Sequence, residues 1–157
     1  AALKFFPCKE QILDRNDILV GMREPFPQGN PPPRRNLLPI LERVKQAYLL
    51  WHEYHCTLPK IHRYTLGGRV DTLFIEIIET ISAAAFLQRS EKLAYIRLAI
   101  RKLDTLKLLL MVLWETRSLD NKKYIACSIQ LDEIGKMLGG WQGQLIKQNS
   151  SAKAQEK

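Results

Sequence analysis

Ile96-Arg97-Leu98-Ala99-Ile100-Arg101-Lys102-Leu103-Asp104-Thr105-Leu106-Lys107-Leu108-Leu109-Leu110-Met111-Val112-Leu113-Trp114 is the stretch that decides how the chain is read. Ile96, Ile100, Leu103, Leu106, Leu110 and Leu113 recur at steps of three and four, the period of one helix face. From Leu108 to Trp114 the run is apolar almost all round, with Lys107 before it and Glu115 after it. A helix apolar on every side is usually buried on every side. The stretch therefore predicts a long helix with one core-facing stripe. It also predicts a second apolar face, made by Leu108, Leu109 and Val112, that needs a further partner.

The same period extends outward in both directions. Upstream, Asn36 is placed to cap a helix over about Leu37 to Cys56, with Leu37, Leu41, Val44, Tyr48 and Trp51 inward. Pro59 suits the first turn of a second helix to about Gln88, whose stripe is Leu66, Val70, Leu73, Ile77, Ile81 and Ala84. Ser90 is placed to cap the third helix, ending near Thr116. Downstream, Asp120 is placed to cap a fourth, carrying Tyr124, Cys127, Leu131, Ile134 and Leu138 inward and continuing towards Leu145. No stretch alternates with period two. Four amphipathic helices with short joints predict an all-α, antiparallel up-down four-helix bundle over residues 37–148. Ile125 and Ile129 lie opposite the fourth stripe, as Leu108, Leu109 and Val112 lie opposite the third. Self-association explains all five; chance exposure of a few aliphatic residues is the plain alternative.

Outside the bundle the composition changes. Glu24-Pro25-Phe26-Pro27-Gln28-Gly29-Asn30-Pro31-Pro32-Pro33-Arg34-Arg35 is too dense in Pro, Gly and Asn for helix or central strand, so residues 1–36 read as an extension and linker. The chain opens without Met; Met22 as a start would make residues 1–21 an addition. The polar tail 149–157 reads as disordered.

The whole chain has 157 residues, enough for one domain with a real core. Its 24 Lys+Arg against 16 Asp+Glu leave a net charge of +8, which favours polyanionic partners. No apolar run approaches the ~18 residues of a membrane span. Cys8, Cys56 and Cys127 are odd in number, widely spaced and without a C-x-x-C pair, the pattern of reduced thiols in the cytoplasm.

Catalytic chemistry finds little purchase. Trp51-His52-Glu53-Tyr54-His55-Cys56 with His62 is the only metal-like cluster, but its His pair is spaced i, i+3 rather than the i, i+4 of zincins. His52, Cys56 and His62 are the three that could ligate zinc, and a zinc enzyme is the reading from another class. No Glu has His three residues later, so a di-iron bundle is excluded. Phosphate-loop and nucleophile-elbow motifs are absent. The expectation is no catalysis, no metal and no cofactor.

The cations say more. Residues 91–117 hold six Lys/Arg against three Asp/Glu, the most basic element. Arg97, Arg101 and Lys102 fall off its core stripe. Lys60, His62, Arg63 and Arg69 cluster at the start of the second helix; Arg117, Lys122 and Lys123 bracket the last loop. Arg and Lys on rigid helices can neutralise phosphates without reading bases, and a solvated cationic face is the bland alternative.

Two longer motifs carry a family resemblance. Leu58-Pro59-Lys60-Ile61-His62-Arg63-Tyr64-Thr65-Leu66-Gly67 opens the second helix with R-x-x-L-G. Asp132-Glu133-Ile134-Gly135-Lys136-Met137-Leu138-Gly139-Gly140-Trp141 fits E-[IV]-G-[RK]-x-L-G-x-W. Together they resemble the accessory variability determinant (Avd) family of diversity-generating retroelements over the four helices. In this reading Gly135 admits a close helix approach, Gly139 and Gly140 loosen the helix, and Trp141 closes the bundle end. The resemblance implies a basic, barrel-shaped homopentamer without an active site that binds the element's reverse transcriptase and its template RNA or an RNA–DNA hybrid. Arg63 and Lys136 match the family's basic positions and become candidate nucleic-acid contacts, beside Lys60, Arg69, Arg97, Arg101 and Lys102. The ribosomal intervening-sequence proteins share the bundle and size, so a stand-alone RNA-binding bundle is the alternative.

Overall fold

The computed structural model describes residues 38–155. The expected linker, the Asn36 cap and Leu37 lie outside them. Among the described residues the protein is all-helical: α1 (Pro39–His55), a short α2 (Lys60–His62) running into a π-turn (Arg63–Gly67), α3 (Gly68–Phe86), α4 (Arg89–Glu115) and α5 (Asn121–Gln155). Of the long helices, α1 packs on α3 and α5, and α4 packs on α3 and α5, so each covers the apolar side of two neighbours. No helix among the described residues is long and apolar enough to cross a membrane.

The stripes read from periodicity form most of the core. Val70, Leu73, Ile77, Ile81 and Ala84 of α3 are buried with Ile96, Leu103, Leu106, Leu110 and Leu113 of α4. Cys127, Leu131, Ile134, Leu138 and Leu145 of α5 join them. On α1 the buried stripe is Ile40, Val44, Ala47 and Trp51, while Leu41 and Tyr48 pack at its flank. The stripe is turned towards Ala47, a small side chain that is buried all the same and that a count of large side chains overlooks. Ala99 and Phe74 enter the core in the same unforeseen way.

Helix ends follow local chemistry, with three corrections. Ser90 does not cap α4; Gln88 holds the N-cap position in extended backbone without a side-chain bond. Pro59 is itself the N-cap of α2 rather than a first-turn residue. Asn149 does not end α5, which continues to Gln155: the hydroxyl of Ser150 donates to the carbonyls of Ile146 and Lys147, and no Gly or Pro follows Gly143 to break the ladder. Asp120 does cap α5, accepting the Lys123 backbone N–H at 2.8 Å.

The glycines also divide differently from expectation. A Cβ on Gly135 would meet Leu103 Cδ2 and Lys107 Nζ at 3.5 Å, ordinary contact, so no close approach depends on it. Gly139 and Gly140 face open space inside a continuous helix. Trp141 packs on the core beside Leu38, Pro39, Ile40 and Met137, at the end of the structure where α1 begins. The demanding glycine is Gly67, on the inner side of the π-turn against Leu58 and His55.

Candidate nucleic-acid interface

The seven expected cationic contacts fall into two groups. Lys60, Arg97, Arg101 and Lys136 are exposed and take part in none of the ion pairs among the described residues. Arg97 and Arg101 stand one turn apart on the outer face of α4, opposite Ile96, Ala99 and Leu103. The other three are engaged within the protein. Glu76 of α3 bridges Arg69 Nη1 and Lys102 Nζ, each at 3.4 Å. Arg63 is half-buried; its Nη2 donates to the Leu58 carbonyl at 2.9 Å, and its own carbonyl faces His55 Nε2 at 3.0 Å. Arg63 thus ties the α1–α2 connection to the π-turn, and the sequence motif gave no sign of this.

The five expected interface residues also separate. Leu108, Ile125 and Ile129 are 53%, 55% and 54% exposed, large apolar side chains facing solvent. Leu109 instead packs against the core, and Val112 is half-buried. The correction for Leu109 is geometric: it precedes the buried Leu113 by four residues, only about 40° round the helix. Lys107 Nζ reaches Asp132 Oδ1 at 2.6 Å, which puts Leu108 and Ile129 at similar heights on adjacent helices. Gly135 opposite Leu103 likewise puts Lys136 near the level of Arg101. Along α4 and α5 the outer surface is therefore apolar in one portion and cationic in the next.

The metal-like cluster is dispersed. His62 Nδ1 lies 2.5 Å from Ser118 Oγ, joining α2 to the α4–α5 turn. His55 packs on Trp51 and faces the Arg63 carbonyl, and His52 is exposed beside Tyr48. No three His, Cys, Asp or Glu among the described residues converge on a point that could hold a metal.

Of the α4–α5 turn, sequence reasoning marked the Asp120 cap and the cations around it but not its backbone. Ser118 N–H bonds the Leu113 carbonyl and Arg117 N–H the Trp114 carbonyl, both at 2.9 Å, which is a Schellman motif. Arg117 occupies its left-handed position with φ 57°. The only advance signal was negative: no Gly stands where a helix of this length ends. The Trp114 ring stacks on Tyr124, centroids 5.1 Å apart at 14°, and its indole N–H donates to Asn121 Oδ1. Lys123 Nζ sits 5.7 Å from the Tyr54 ring centroid and donates to Thr57 Oγ1 at 3.0 Å, locking this end to the α1–α2 connection. No family model matches the chain, and no curated protein gives a significant match to it.

Proposed function

We propose that this chain is a non-catalytic accessory protein of a diversity-generating retroelement, acting in the cytoplasm. In this reading it forms an antiparallel up-down four-helix bundle that assembles into a closed homopentamer. The assembly binds the element's reverse transcriptase and its template RNA or an RNA–DNA hybrid, in support of error-prone copying. The observation that carries the binding half is the pair Arg97 and Arg101, exposed and without ion-pair partners among the described residues, on the rigid outer face of α4. Unneutralised cations at fixed spacing contribute to phosphate affinity, whereas Arg69 and Lys102 already share a carboxylate. The assembly half is supported by Leu108, Ile125 and Ile129, three large aliphatic side chains more than half exposed on adjacent helices. The polymerase partner rests on the two motifs that resemble the accessory family.

Co-purification with the reverse transcriptase encoded beside this gene, with and without template RNA, tests the reading. A complex that loses RNA on Arg97→Glu/Arg101→Glu replacement is the expected result. Absence of a neighbouring reverse transcriptase, with RNA binding intact, would transfer the reading to a stand-alone RNA-binding bundle.

A further inference from the structure

The α4–α5 turn holds a cleft of about 480 Å³ lined by Trp114, Glu115, Arg117, Leu119, Asp120 and Asn121. That volume lies within the range of small-molecule sites. Trp114 is 38% exposed, yet its ring is fixed: stacked on Tyr124 and hydrogen-bonded through its N–H to Asn121. A partly exposed aromatic ring that is held in place and lines the cleft loses little freedom when a second flat ring is laid on it.

The charges at the cleft say what kind of ring. Arg117 is exposed and has no ion-pair partner among the described residues. It holds a left-handed conformation that Gly adopts at lower cost. Asp120 is occupied, accepting the Lys123 backbone N–H and facing Lys123 Nζ. Glu115 is exposed and outside every one of those ion pairs. The cleft thus offers a flat apolar face, a cation for phosphate and a carboxylate that accepts N–H donors while repelling phosphate. A nucleotide whose base edge faces Glu115 satisfies all three. Among the bases, guanine presents two adjacent donors, N1–H and the N2 amino group, to a carboxylate.

We propose that this turn is a stacking site for one unpaired guanine nucleotide, with the base on Trp114, its donor edge at Glu115 and its phosphate at Arg117. The proposal rests on the nucleic-acid reading above and places a single-strand contact away from the phosphate-binding face of α4. Free guanosine nucleotide and a guanine within a strand share this chemistry.

The test titrates full-length protein carrying Trp141→Phe, so that Trp114 is the accessible emitter beside the buried Trp51. The probes are a short uridine strand with one central guanine, the same strand with adenine, GMP, and N-acetyl-arginine amide. The guanine strand should quench indole emission at lower concentration than the adenine strand. With binding read instead by fluorescence anisotropy of an end-labelled guanine strand, Trp114→Leu should weaken affinity roughly ten-fold, as loss of one base stack does, and Trp114→Phe should retain most of it. Glu115→Ala should remove the preference for guanine over adenine. Equal affinity for GMP and the strand would assign the site to free nucleotide. Strands that bind without quenching, or that quench without regard to base, overturn the site and leave phosphate binding by α4 standing. Quenching by N-acetyl-arginine amide but by no nucleotide overturns it in favour of a cationic protein side chain. No strand binding at low salt removes this proposal and the nucleic-acid reading together.

Discussion

A Cβ at Gly67 would lie 2.9 Å from Leu58 Cδ1 and 3.0 Å from both His55 Cδ2 and the His62 carbonyl oxygen. The last of these is backbone and cannot swing aside, so Gly67→Ala should destabilise the fold by about 1–3 kcal/mol, the usual cost of overpacking. Gly139→Ala is the control. Its Cβ enters open space within α5, and it should gain about 0.5–1 kcal/mol from helix propensity; urea unfolding of the two variants reads both signs. Arg117 behaves as the reverse case. Relief of its left-handed backbone in Arg117→Gly should raise stability by a few tenths to about 1 kcal/mol, while removing a cation from the cleft. Asp120 adds a pH dependence. Hydrogen bonding from the Lys123 backbone N–H, aided by the Lys123 ammonium and the Lys122 backbone N–H, holds its carboxyl below the usual value. A depressed folded pKa means the contribution is complete above the unfolded value and is lost as pH falls through the folded one. Thermal unfolding of Asp120→Asn, which keeps the cap without the charge, should lose part of the native protein's acid sensitivity.

Helix period was enough to place the core faces of α3, α4 and α5, because most of their inward residues are large and recur at helical spacing, although it passed over Phe74 and Ala99. It was insufficient for α1, where the small Ala47 is buried and a count of large side chains passes over it. The π-turn was hidden for a related reason. Its Gly67 lies against Leu58 and its Arg63 carbonyl faces His55, both across the α1–α2 connection, which no local pattern records. Of the candidate site, the exposure of Arg97 and Arg101 was legible because both lie far round α4 from Ile96 and Leu103. The engagement of Arg69 and Lys102 was not, since Glu76 sits on a different helix from Lys102. Leu109 and Ile129 make this distinction measurable. Leu109→Glu places a charge against the core and should cost several kcal/mol of stability. Ile129→Glu on the open face of α5 should leave helicity unchanged and the stability of the protomer within about 0.5 kcal/mol of wild type, and lower the mass seen by light scattering. Equal destabilisation by both would remove the assembly role assigned to that face. Cys127 reports on the same core from inside: burial pushes its thiol up to about 12, so in a Cys8→Ser/Cys56→Ser background maleimide labelling at neutral pH should track unfolding.

At the scale of the whole molecule, the net charge of +8 is not spread evenly over usable surface. Glu76 holds Arg69 and Lys102, Glu133 faces Arg43, and Asp132 faces Lys107. Lys60, Arg97, Arg101 and Lys136 are left open to a polyanion. Each phosphate they neutralise releases counterions, so log affinity for RNA should fall linearly with log salt at about −0.7 to −0.9 per contact. Four contacts in one protomer give a slope near −3, and a closed ring that lays one strand across several protomers gives a multiple of it. Arg97→Glu/Arg101→Glu should weaken binding to single-stranded and duplex RNA alike, while reducing the slope by about two contacts per protomer engaged. Ile125→Glu/Ile129→Glu leaves these cations in place, so its effect separates the two faces. If the apolar portion builds the ring and the cationic portion binds phosphate, this variant should fall to the slope of a single protomer while remaining able to bind. A variant that loses its slope altogether would mean that the apolar portion of α5 itself contacts the nucleic acid. An unchanged slope and mass would remove the assembly role proposed for this face.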